Sequence, residues 1–96
     1  MKTNKELFTL KKYGENFGPR VLGIRIKDDI INILQKSSSI SIIIDLTDVK
    51  VLSTGFAKEL FGGLLEELGD EFKEKIKFRF GNNRELLLSS IFRAMN

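Results

Sequence analysis

Ninety-six residues, 42% hydrophobic and 30% charged, suffice for one compact domain with a modest core and leave no room for a second. Cysteine and histidine are both absent, which excludes disulfides, thiolate nucleophiles, imidazole acid–base catalysis and most zinc sites. The formal charge of +3 is scattered among Asp and Glu along the chain, with no run longer than Lys11-Lys12, so nucleic-acid binding is not favoured.

No apolar stretch approaches the ~20 residues of a membrane span, and the first residues lack the apolar centre of a signal peptide. The expectation is a cytoplasmic protein with no membrane association. Residues 7–10, Leu-Phe-Thr-Leu, read as a short strand near a sheet edge, given the two lysines that follow. Residues 13–19 are turn-rich, and Pro19 suits the first position of a helix with Gly18 just before it.

From Arg20 the pattern is helical for about fifteen residues. Val21, Ile24, Ile30, Ile31 and Leu34 are expected to share the buried face, widened by Ile26 and Ile33. Gly23 within this helix costs about 1 kcal/mol against Ala, which points to close packing against the sheet. Ser37, Ser38 and Ser39 serve as a short connection.

Residues 40–46 hold four isoleucines and read as a central strand buried on both faces. The run closes with Asp45, Thr47 and Asp48, at the end of a strand where open α/β sheets carry their sites. Ser53, Thr54 and Gly55 then form a loop ahead of a helix starting at Phe56. In that helix Phe56, Leu60, Leu64 and Leu68 recur every fourth residue, while Lys58, Glu59, Glu66 and Glu67 form its wet face. The Gly62-Gly63 pair weakens the helix, so close approach of another backbone, or a bend, is expected there.

Residues 76–80 alternate as a half-buried strand, 81–83 turn with Asn83 as a helix cap, and a last helix spans about 84–94 with Leu87, Ile91 and Ala94 inward. Strand and helix alternate throughout, so the expected fold is one α/β domain over residues 1–96, a small, mostly parallel sheet packed by helices.

The segment Asp45-Leu46-Thr47-Asp48-Val49 with Leu52-Ser53-Thr54-Gly55 resembles the signature of the STAS domain of sulphate transporters and anti-sigma factor antagonists. A closer resemblance is to a bacterial STAS-like family of unknown function. It rests on Arg20-Val21-Leu22-Gly23-Ile24-Arg25 before the strand and Ser53-Thr54-Gly55-Phe56-Ala57-Lys58-Glu59-Leu60 after it, and it covers about residues 17–94. The resemblance implies a non-enzymatic regulatory module that binds a histidine-kinase-like ATP-binding protein. It implies a phosphoacceptor hydroxyl directly before the Gly, here Thr54, with Ser53 one residue earlier. Two positions depart from the antagonist pattern: Leu52 stands where an Asp is usual, and Phe56-Ala57 where a Leu-Gly step is usual.

The same residues have plainer readings. Ser53 or Thr54 can cap the helix, Asp45 and Asp48 can fix the loop, and Arg20 and Arg25 can lie on a solvated face or bind a partner's carboxylate or phosphate. Asp45, Asp48, Gly55, Phe56, Lys58, Arg20 and Arg25 are therefore candidates for partner contact, beside Thr54 and Ser53 as phosphoacceptors. No nucleophile–base pair or metal cluster is legible, so neither an enzyme nor a cofactor is expected. A second function remains open, a sensor binding a small anion or nucleotide at the N-terminus of the helix near Thr54. Pairing of the exposed sheet edge with a second copy also remains open.

Overall fold

The computed structural model describes residues 4–14, 16–36 and 40–96. Two positions of the sequence reading, Glu15 in the first turn and the connection at Ser37–Ser39, lie outside them. Strand β1 (Asn4–Thr9) opens the chain and a 3-10 turn (Leu10–Tyr13) follows. The strand thus begins earlier than expected and gives up Leu10, whose side chain is fully buried once the backbone turns. A two-residue strand β2 (Asn16–Phe17) sits inside the stretch expected to be turn alone. Helix α1 (Arg20–Lys36) begins one residue after Pro19, whose carbonyl accepts from the Gly23 N–H at 3.4 Å.

Strand β3 (Ile40–Asp45) leads through a turn to β4 (Val51–Leu52). Helix α2 (Thr54–Ala57) then continues through a π-turn (Lys58–Gly62) into α3 (Gly63–Leu68), a single rod over residues 54–68. The rod ends at Gly69, whose φ of +54° suits glycine. An unanticipated 3-10 turn (Gly69–Glu71) and helix α4 (Phe72–Lys75) carry the chain to β5 (Ile76–Arg79), and α5 (Arg84–Met95) follows.

The main sheet has the order β1-β3-β5, and β2 pairs with β4 in a small second sheet. The described pairings are all parallel, so the fold is the small α/β arrangement expected from the sequence. Register explains where its core lies. Phe8, Ile44 and Phe78 share one row, and Ile42 pairs with Ile76; Phe8, Ile42, Ile44 and Ile76 are buried. That face carries the helices. On the opposite face Leu7 is exposed, Ile43 half-buried, and Lys77 and Arg79 exposed. Ser41, on that same face, is buried and Asp45 half-buried, so the central strand is fully buried on one face and only partly on the other. A run of isoleucines cannot report this, because isoleucine suits a strand whether its face is fully or partly covered.

The α1 seam also differs from expectation. Gly23, Ile26, Ile30 and Leu34 are buried, whereas Val21 and Ile24 are 75% and 40% exposed. The small residue sets the seam, because a Cβ at Gly23 would stand 2.7 Å from the Phe56 carbonyl oxygen. The close packing at Gly23 is thus against the rod of residues 54–68 rather than against the sheet. Gly62 likewise meets Ala94 of α5, where a Cβ would stand 2.8 Å from its carbonyl oxygen. The π-turn falls on the same residues, so close approach and an irregular helix coincide there.

Candidate functional site

The strand pair β2–β4 is two residues long, yet it positions the start of α2. After Leu52 the Ser53 N–H donates to the Phe17 carbonyl at 2.8 Å, extending that pairing by one bond. The Ser53 hydroxyl donates to the Gly18 carbonyl at 2.7 Å and accepts from the Phe56 N–H at 3.1 Å. Its own carbonyl accepts from the Ala57 N–H at 2.9 Å. With φ −69° and ψ 157°, Ser53 has the extended backbone of a helix N-cap. Every polar group of Ser53 is engaged, and together these bonds tie the entry of α1 to the entry of α2.

Thr54 follows as the first residue of the helix. It is exposed, and the cap makes no use of it. Gly55 lies beneath the stem of Arg20, since a Cβ there would stand 2.8 Å from Arg20 Cγ and 2.9 Å from Nε. A glycine at this position lets the arginine cross the first turn of α2. Arg20 and Lys58 then line, with Glu59, Gly62 and Glu66, an open polar groove of about 400 Å³ along the rod. Phe56 is different: its side chain is 0% exposed and its ring packs 5.0 Å from that of Phe17. It belongs to the core, so among the partner-contact candidates its role is to hold the loop from beneath.

Asp45 and Asp48 lie at another place, the turn that leaves β3. The Asp45 carboxylate accepts from the Thr47 N–H at 2.9 Å. Burial works to raise its pKa, but hydrogen bonds from the Thr47 hydroxyl and N–H, and then the Arg79 charge, outweigh it and hold the carboxyl below its ordinary value. The Val49 N–H closes the turn on the Leu46 carbonyl at 3.1 Å, and Asp48 takes a left-handed φ of 66°. Asp48 also pairs with Lys11 at 3.2 Å. Lys11, Asp48 and the Asn82–Asn83 turn border a cleft of about 240 Å³ that includes neither Thr54 nor Arg20. Asn83 occupies the cap position of α5 through its carbonyl, which accepts from the Leu87 N–H, and its side chain makes no capping bond.

The candidate residues therefore fall into separate groups. Ser53, Thr54, Gly55, Arg20 and Lys58 gather around the start of α2, while Asp45 and Asp48 shape the β3 turn. Arg25, five residues and about 140° around α1 from Arg20, acts on the Tyr13 phenol instead. Tyr13 donates to Asp29 at 2.8 Å. Burial first, then this bond and the Asp29 charge, push the phenol up to about 12, with Arg25 pulling the other way. Sequence reasoning missed this pair, and also the Gly18 carbonyl that receives Ser53. The one available signal was the placement of the chain's single tyrosine among turn residues.

Among the described residues no three carboxylates gather as metal ligands, and no helix is long and apolar enough to cross a membrane. Neither a curated protein nor a solved structure matches the chain. A family model does match over residues 23–84, narrower than the resemblance read from the sequence. The match takes in Arg25, Asp45, Asp48 and the whole Ser53–Lys58 stretch, and leaves Arg20 outside it. With the match spanning the central strand, the capped loop and the rod in one run, the chain belongs to the family described as a STAS-like domain of unknown function (DUF4325).

Proposed function

We propose that the chain is a non-enzymatic regulatory module that docks a protein partner around the start of α2 and is released by phosphorylation of Thr54. The observation that carries this reading is the division of labour between two adjacent hydroxyls. Ser53 is fully engaged in the cap, whereas Thr54 is exposed and plays no part in it. A phosphate on Thr54 would bring about −1.5 to −2 charges. It would meet the free N–H groups of the first helical turn and the Arg20 side chain that crosses Gly55. The domain would keep its fold, while a partner packed on Thr54, Gly55, Arg20 and Lys58 would face a new hydrated charge.

The partner chemistry follows from the resemblance to anti-sigma factor antagonists: a histidine-kinase-like ATP-binding protein that both binds this surface and modifies it. The test is a pull-down from host lysate with wild type and Thr54→Glu, read by mass spectrometry, with circular dichroism on both. Wild type is expected to retain an ATP-binding kinase-like protein that the variant loses, and ATP is expected to place phosphate on Thr54. Equal retention by both proteins would refute the switch. The alternative of a small-anion or nucleotide sensor uses the same Arg20 side chain at the same helix end. It predicts thermal stabilisation of the isolated chain by the anion, lost in Arg20→Ala.

A further inference from the structure

The free edge of β5 has chemistry that the surface around Thr54 does not use. Among the described residues β5 has β3 as its one sheet neighbour. The Arg79 carbonyl accepts from the Leu46 N–H at 2.8 Å, so the backbone polar groups of Arg79 turn toward β3. Strand alternation turns those of Lys77 the same way and those of Phe78 outward. Phe78 therefore presents an N–H and a C=O to whatever lies beside the sheet.

Register sorts the side chains along this edge as well. Ile76 and Phe78 share rows with the buried Ile42 and Ile44, on the helix-covered face. Lys77 and Arg79 share rows with Ile43 and Asp45, on the open face. On the helix side the edge opens into a groove of about 580 Å³ between β5 and α5, walled by Phe72, Ile76, Phe78, Leu88, Phe92 and Met95. Phe92 is 57% exposed there. Lys73, Lys77 and Asp70 also border the groove, two cations against one carboxylate.

We propose that this edge and groove bind an extended segment of a protein partner in which apolar residues alternate with Asp or Glu. Such a segment would pair with the outward N–H and C=O of Phe78 as an added strand. Its apolar side chains, in the rows of Ile76 and Phe78, would enter the groove. Its carboxylates, on the other face, would stand beside Arg79 and the stem of Lys77, whose ammonium reaches the rim next to Lys73. Arg79 already has Asp45 across the β3 side, whereas the β3 residue opposite Lys77 is Ile43. The Lys77 ammonium donates to the Lys73 carbonyl at 2.6 Å, a neutral partner that leaves its charge uncompensated at the rim of the edge.

A second copy of the chain fits this edge poorly. Two β5 strands related by a two-fold axis would set Lys77 opposite Lys77 or opposite Arg79, and like charges directly opposite destabilise a strand pair. The β1 edge brings Lys5, Leu7 and Thr9 to the corresponding face. Among the described residues neither edge supplies a carboxylate there.

The proposal shares no residue with the surface around Thr54, so it stands or falls separately from the switch. The test uses the full chain labelled with nitrogen-15 and three peptides: four Val-Glu repeats, four Val-Lys repeats, and a block of four Val followed by four Glu. At tenfold excess over its Kd, the Val-Glu repeat is expected to slow exchange of the Phe78 amide about tenfold. It should leave Thr54 and Gly55 unmoved, and the Val-Lys repeat and the block peptide should have little effect. Lys77→Glu, a change at an exposed position, should transfer the preference to the Val-Lys repeat. Three results would overturn the proposal: no protection of Phe78 with any peptide, equal protection by all three, or protection that rises with protein concentration in the absence of peptide, which would identify a second copy as the occupant.

Discussion

Gly23→Ala separates helix propensity from helix packing by the sign of its effect. Propensity alone favours the variant, since Ala in a helix interior is better than Gly by about 1 kcal/mol. Packing opposes it. The added methyl would stand 2.7 Å from the Phe56 carbonyl oxygen, with Glu59 Cβ at 3.2 Å and the Phe56 carbonyl carbon at 3.4 Å closing the way out. The oxygen belongs to the backbone of a buried helical turn, so relief requires α1 and the rod of residues 54–68 to move apart. Overpacking of this kind costs about 1–3 kcal/mol, and a backbone obstacle places it near the upper end. Net of propensity, the expected loss is about 2 kcal/mol, or a fall in Tm of about 8–16 °C for a domain of this size. The control is Gly63→Ala, where the methyl would meet Lys27 Cδ at 2.7 Å. That is the far part of a flexible side chain and can swing aside, so this variant should be neutral or slightly more stable. Urea unfolding of both variants beside wild type decides the matter. Equal stabilisation by the two substitutions would refute the helix contact at Gly23.

The capped loop yields a second contrast. Ser53→Ala should cost about 1–2 kcal/mol through loss of the cap, and Thr54→Ala should change stability little, both read from urea midpoints at constant m-value. For Tyr13 the folded phenol is raised to about 12, against an unfolded value near 10. Its contribution is therefore intact below pH about 10 and lost as the pH rises toward about 12. Wild type should lose its advantage over Tyr13→Phe across that window in thermal melts. Asp45 works in the opposite direction, because its folded pKa is lowered. Its stabilisation is present above the unfolded value of about 3.9 and is lost as the pH falls through the folded one, so Asp45→Asn should remove part of the acid limb of an unfolding titration.

The elements that the sequence reveals are those whose apolar spacing is dense enough to be read locally. The central strand, the rod of residues 54–68, the alternating β5 and the α5 seam at Leu87 and Ile91 all carry such spacing. What escaped reading has a physical reason in each case. β2 and β4 are two residues each, shorter than any period, and exist because Phe17 and Leu52 find each other across the fold. The α1 seam was misplaced because Gly23 carries no hydrophobic signal, although its lack of a side chain decides which side of the helix meets its neighbour. The partly open face of β3 was invisible because isoleucine suits a strand whether helices or solvent lie above it.

The site shows the same limit at finer scale, and it separates the two candidate hydroxyls. From the residues alone, Ser53 and Thr54 are equal candidates for the cap, and only the family resemblance sets Thr54, directly before Gly55, apart as phosphoacceptor. In the fold, one accepts from the Phe56 N–H and donates to Gly18, and the other points to solvent. A phosphate on Ser53 would remove the donor to Gly18 and crowd the cap, loosening the joint between the β2–α1 and β4–α2 connections. On Thr54 it would break no bond of the cap and would sit against a helix end and an arginine. The first change spends stability to alter the fold, and the second alters the surface alone. A domain of this size, whose whole stability is of the order of 5–15 kcal/mol, tolerates the second better, so the proposed switch is assigned to Thr54, with Ser53 as the joint that keeps it in place.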